Sequence, residues 1–143
     1  MSRHGYSDDI DQWDLIKWRG QVASAIRGKR GQRLLVDLVQ ALDAMPERTL
    51  IAEKLIDHED GDAVCALGAV GVRRGIAMDD LDPEWTETIA KKFDIAEQLA
   101  REIAYVNDEG GHWRRGETPQ ERWARVRAWA IRHIQPVPNE EQQ

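Results

Sequence analysis

The segment Ala63–Val72 constrains the fold more than any other part of the chain. Its ten residues, Ala-Val-Cys-Ala-Leu-Gly-Ala-Val-Gly-Val, carry no charge. The run falls well short of the roughly 18 apolar residues a membrane-spanning helix needs, so its place is inside the protein. We read it as a buried helix. Gly68 and Gly71 each weaken a helix by about 1 kcal/mol relative to alanine. A sequence tolerates that where another backbone must approach closely. Cys65, Gly68, Ala69 and Val72 would form the thin face, with Gly75 closing the helix after Arg73 and Arg74.

A buried rod needs amphipathic neighbours, and the flanking sequence predicts them. Leu15, Trp18, Val22 and Ile26 recur at helical spacing over Asp11–Ile26. Asp8, Asp9 and Asp11 suit the positive end of that helix, and Gly28 sits where a left-handed C-terminal residue is wanted. After a basic turn, Gly28-Lys29-Arg30-Gly31, a second helix over Gln32–Met45 places Leu35, Leu38, Leu42 and Met45 on one face, and Pro46 ends it. The two read as an antiparallel hairpin. Glu47–Asp57 fits either a helix or, around Thr49–Ala52, a short extended piece. Asp82-Pro83-Glu84 signals a helix start running to Phe93. Asp94 is set to cap the next helix, which carries Ile95, Leu99, Ile103 and Val106. Thr118-Pro119-Gln120-Glu121 is a capping box opening a last helix with Trp123, Val126, Ala130 and Ile134 inward. The expected fold is therefore all-α: one domain over residues 1–138, six or seven helices with little or no β-strand, and a disordered tail at 139–143.

Length and composition agree with this. A chain of 143 residues suits one domain, and 41% hydrophobic with 32% charged residues is a globular balance. The absence of an apolar leader and the single cysteine predict a reducing, cytoplasmic setting and no membrane association.

The net charge of −6 conceals blocks. Leu15–Val36 has six bases and no acid; Asp37–Asp62 has eight acids and two bases; Asp79–Glu109 has ten acids and three bases; Trp113–Ile134 has six arginines and two acids. Basic helices packed beside acidic ones account for such a pattern. A basic face built from both ends is the sharper alternative. Tryptophan is the other anomaly, supplying six of nine aromatic residues. Trp13 and Trp129 fall off the apolar stripes, and exposed tryptophans are frequent anchors at protein interfaces.

Catalytic chemistry has weaker signals. Cys65, His112 and Asp108, with Asn107, supply the residue types of a thiol nucleophile, base and orienting group, although Val64-Cys65-Ala66-Leu67 looks like inert packing. His4, His58, His112 and His133 show no metal-ligand spacing. The acidic run Asp57–Asp62 fails the EF-hand pattern, and Gly28–Arg33 lacks the P-loop order. No metal or cofactor is expected. The Gly28–Arg33 turn retains the charges to meet an anion at a helix start.

Several segments also carry a resemblance. They are Trp18-Arg19-Gly20, Gly28–Gln32, Ala41–Pro46, Leu50-Ile51-Ala52, Val64–Gly71, Ala100–Ile103 and Asn107-Asp108. Together they resemble a family of small uncharacterised phage and prophage proteins with a Cys-x-Leu-Gly pattern followed by Asn-Asp, over nearly the whole chain. The resemblance implies a phage-related origin and brings no activity with it. Origin, tryptophan excess and lack of a catalytic set lead to one expectation: an accessory protein, more a binder than an enzyme, that engages a host or defence protein or a second copy of itself. Trp13, Lys29, Arg30, Arg33 and Trp129 are the expected contact residues. The alternatives are nucleic-acid binding through the basic 17–33 hairpin and the 114–132 helix, and a small-molecule or thiol site around Cys65.

Overall fold

The computed structural model describes residues 3–4, 11–109 and 116–136. Among them are six α-helices: α1 (Gln12–Arg27), α2 (Lys29–Ala44), α3 (Ala66–Arg74), α4 (Thr86–Phe93), α5 (Glu97–Glu109) and α6 (Pro119–His133). A two-stranded antiparallel ladder, β1 (Ile56–Asp57) and β2 (Ala63–Val64), pairs Ile56 with Val64 just before α3. The all-α expectation holds. None of the described helices is long and apolar enough to cross a membrane. The expected tail at 139–143 lies outside the described residues.

Helix α3 is the interior rod. Ala66 through Gly71 are all buried, with α2 and α5 packed against them. The two glycines have separate reasons. A Cβ on Gly68 would stand 1.9 Å from the Leu55 carbonyl oxygen, and one on Gly71 would stand 2.4 Å from Met78 Sδ. The crossing backbone is thus the 50–57 segment. It is irregular, bending at Ala52, Glu53 and Leu55 before β1, and is held by Ile51 N–H to Val64 O at 3.0 Å and Cys65 N–H to Leu55 O at 3.2 Å. Of the two readings open for Glu47–Asp57, the helix does not form, and the strand that does form, Ile56–Asp57, lies beyond the Thr49–Ala52 piece expected to be extended. The thin face ends before Val72, which is exposed, a correction to the expected stripe. Gly75 closes α3 in the left-handed conformation, φ 70°.

The hairpin is tighter than its sequence suggests. Gly28 alone joins α1 to α2, serving as the last cap of one and the first of the other, and it is extended at φ −67° rather than left-handed because the chain passes directly into α2. Lys29, Arg30 and Gly31 belong to the first turn of α2 rather than to a free turn. Gly31 makes this close: a Cβ there would lie 2.0 Å from the Ala25 carbonyl oxygen. Two further starts are displaced. Asp82 caps a turn through Glu84 N–H at 2.9 Å, and the helix begins only at Thr86. Asp94 ends α4 with φ 55° instead of opening α5. The capping box of α6 is present in both directions.

Candidate functional site

Two places concentrate chemistry: the buried end of α5 and the outer side of the α1–α2 hairpin. At the first, Asn107 is a fully buried cross-brace. Its Oδ1 accepts the Ala66 N–H at the start of α3 (3.0 Å), while its Nδ2 donates to Ile51 O (2.8 Å) and to Asp108 Oδ1 (2.9 Å). One amide thereby ties α5, α3 and the 50–57 segment together. The carbonyls at the end of α5 lack helical partners, as in any helix. Arg122 Nε donates to Asn107 O at 3.1 Å, and Arg125 Nη1 donates to Val106 O at 2.5 Å. Arg125 also pairs with Glu117 at 2.7 Å.

Cys65 caps α3, its sulfur accepting the Gly68 N–H at 3.4 Å. It is 0% exposed. Arg3 lies over it. The Arg3 guanidinium grips Asp108 with a two-pronged fork, Nε to Oδ2 at 2.6 Å and Nη2 to Oδ1 at 2.7 Å, and its Nη1 reaches Cys65 Sγ at 3.6 Å. Asp108 also accepts the Glu53 N–H at 3.0 Å, which a left-handed Glu53, φ 69°, presents. Burial pushes the Asp108 carboxyl up, but the Arg3 fork and the Glu53 and Asn107 donors outweigh it and hold it below the usual carboxylate range. Burial likewise opposes the Arg3 charge, yet Cys65 and Asp108 more than compensate, so its pKa is raised.

The expected grouping of Cys65 with Asn107 and Asp108 is thus present in space. His112 lies outside the described residues. The nucleophile's surroundings differ from the expected ones, however: the thiol is covered by a cation, and Asn107 is committed to backbone groups. Arg3 and His4 carry no signal in sequence, because their partners lie 105 and 97 residues away.

At the hairpin, Lys29, Arg30 and Arg33 are exposed, as expected. Trp13 is 73% exposed and Ile16 54% exposed. Trp129 departs from the expectation. It is 8% exposed, with the His133 ring centroid 4.8 Å from its own, and so belongs to the core. With 100° per residue, positions 13 and 24 differ by only about 20° around a helix. Ser24 and Gly28 line a cleft of about 550 Å³ together with Lys29, Arg30 and Gln98. The line of Trp13 and Ile16 therefore runs along α1 into the basic start of α2, which has no side-chain cap of its own.

The last helix is different. Arg122 and Arg125 are engaged internally, and Arg127 pairs with Asp43 at the surface at 2.7 Å. Arg132 shares a second cleft, about 390 Å³, with Arg19, Arg27, Glu102 and His133. Arg114 and Arg115 fall outside the described residues.

No protein-family model, curated protein or solved structure matches this chain.

Proposed function

We propose that this chain is a non-catalytic interaction protein that docks an acidic surface of a partner protein onto the outer line of α1 and the start of α2. The observation that carries this reading is the exposure of Trp13 beside Ile16, on a helix whose outer line leads to Lys29 and Arg30. Trp13 is flanked by Asp11 and Asp14, and the acid-free basic stretch begins at Leu15; a large exposed aromatic leading into such a stretch suits an interface anchor. The resemblance to phage and prophage proteins supports a host or defence protein as that partner. Burial of Cys65 beneath Arg3 speaks against thiol catalysis in the same molecule.

The test uses wild-type bait beside W13A/I16A and K29E/R30E baits in host lysate. All four side chains are exposed, so the variants keep the fold. A specific partner held by wild type and weakened tenfold or more by each double variant supports the reading. Equal recovery by all baits refutes it.

A second reading has one observation in its favour: Arg19 and Arg27 of α1 share a cleft with Arg132 of α6, the joint basic face a nucleic-acid binder would use. Against it stand the Glu102 carboxylate in the same cleft, 2.7 Å from Arg19, and the net charge of −6. Salt-sensitive gel shifts lost in R27E/R132E would favour this reading over the first.

A further inference from the structure

Arg3 and His4 sit in this fold as a ligand sits in a receptor. Their contacts reach remote segments: Arg3 to Asp108 and Cys65, and the His4 carbonyl to Arg101 Nε at 2.7 Å. The His4 ring stands edge-on to Tyr105, centroids 5.1 Å apart, with Nε2 2.9 Å from a Glu109 carboxylate oxygen. The receiving side is assembled by groups other than Arg3. Asp108 Oδ1 is oriented by the Glu53 N–H and Asn107 Nδ2, and Asn107 is itself fixed by Ala66 N–H and Ile51 O. Such preorganisation lowers the cost of binding.

We propose that Asp108 and Cys65 form a guanidinium-binding socket whose resident ligand is Arg3, and that a guanidinium supplied in trans occupies it once Arg3 is removed. The shape selects the chemistry. A planar fork places two N–H groups on one carboxylate and a third on the sulfur, whereas an ammonium presents one compact charge. Removing Arg3 leaves the buried Asp108 charge without that cation, which favours capture of another. The source is an arginine side chain, from a second copy or from a different partner, or a small guanidinium. Cys65, the one cysteine of the chain, reports occupancy because its sulfur lies 3.6 Å from Arg3 Nη1.

The experiment follows Cys65 alkylation by iodoacetamide and thermal unfolding in Arg3→Ala and Arg3→Lys, each with methylguanidinium or, as a matched cation, methylammonium. Alkylation at least tenfold faster than wild type is expected in Arg3→Ala, with a smaller increase in Arg3→Lys. Methylguanidinium at concentrations suited to roughly millimolar affinity should return Arg3→Ala towards the wild-type rate and raise its unfolding midpoint, while methylammonium does neither. If Arg3→Ala loses its helical circular dichroism, methylguanidinium alone must restore it. Equal action of the two cations, or none by either, overturns the proposal. Mixing Arg3→Ala with Asp108→Asn chains separates the sources. Restored protection with a doubled mass identifies Arg3 of a second copy, and protection by methylguanidinium alone identifies a small or heterologous guanidinium.

Discussion

Replacing Gly68 by alanine tests the central packing claim. In an isolated helix the change would help by about 1 kcal/mol. Here the new methyl would lie 1.9 Å from the Leu55 carbonyl oxygen and 2.9 Å from its carbonyl carbon, both backbone atoms. Backbone cannot rotate away as a side chain can. Leu55 must retreat, and its carbonyl is the acceptor for Cys65 N–H at 3.2 Å. Overpacking of this kind costs typically 1–3 kcal/mol and sometimes more, and a weakened buried hydrogen bond adds about 1 kcal/mol. Net of the propensity gain, the expected loss is about 1–3 kcal/mol, or roughly 3–12 °C in Tm for a domain of this size. Urea unfolding followed by tryptophan fluorescence measures it. Gly20 is the control, because it lies inside α1 with nothing within 4 Å of its Cβ. Gly20→Ala should stabilise by about 0.5–1 kcal/mol. If Gly68→Ala is neutral or stabilising like Gly20→Ala, the close crossing of the 50–57 segment over α3 is wrong.

Three further outcomes follow from single side chains. The depressed Asp108 pKa means that its pairing stabilises the fold above the unfolded carboxylate value of about 3.9, and that this share is lost as pH falls through the lower folded value; the acid limb of a Tm–pH profile should flatten in Asp108→Asn. His58 bridges Asp79 and Asp62, each at 2.7 Å, and its pKa is raised first by Asp79 and then by Asp62. Its contribution is complete below the unfolded value of about 6.5 and is lost as pH rises from there through the higher folded one, so His58→Gln should remove a Tm decrease over that interval. Trp123 Nε1 donates to Leu42 O at 3.2 Å in the core, and Trp123→Phe, which keeps a ring but removes that donor and leaves the carbonyl with the Met45 N–H at 3.3 Å, should cost about 0.5–1.5 kcal/mol in urea unfolding.

The readable parts of the sequence were those whose cause is local. The Thr118 capping box, the Pro46 stop, the Gly75 terminator and the apolar stripes of α2 and α5 depend on neighbours a few residues away, and each is in place. Misplacements occurred where a local signal had two uses. Asp94 is suited both to opening a helix and to a left-handed stop, and Ile95 N–H bonding to Ala90 O at 3.0 Å favours the stop. Asp82 caps a turn as readily as a helix. Trp129 lies in the core rather than at the surface because α6 buries a wider face than one narrow stripe, including a tryptophan packed on its own last turn. Of the buried cluster, Cys65 with Asn107-Asp108 was visible as residue types. The Arg3 fork was not, since nothing near Arg3 in sequence marks a partner 105 residues away.

The arginines of the last helix show why a charge count misleads about function. Read as a block, they suggest a phosphate-binding face. In space, α5 ends against α6, and the carbonyls of the buried residues Val106 and Asn107 need donors there. Arg122 and Arg125 provide them, with Arg122 Nη1 also reaching Leu50 O at 3.0 Å. A guanidinium suits this task because one planar group serves several acceptors while Glu117, 9% exposed, balances its charge. At the hairpin, among the described residues, Arg30 meets Asp94 in a long, exposed contact at 3.3 Å, of the kind worth little in water. Equal charge density therefore has opposite meanings at the two ends of the chain. Arg125→Ala should lower stability by about 2–3 kcal/mol and leave partner capture by the folded protein unchanged, whereas Arg30→Glu should leave stability within about 0.5 kcal/mol and reduce capture. The reverse assignment, read from urea unfolding and from the same bait experiment, would place recognition on α6 instead.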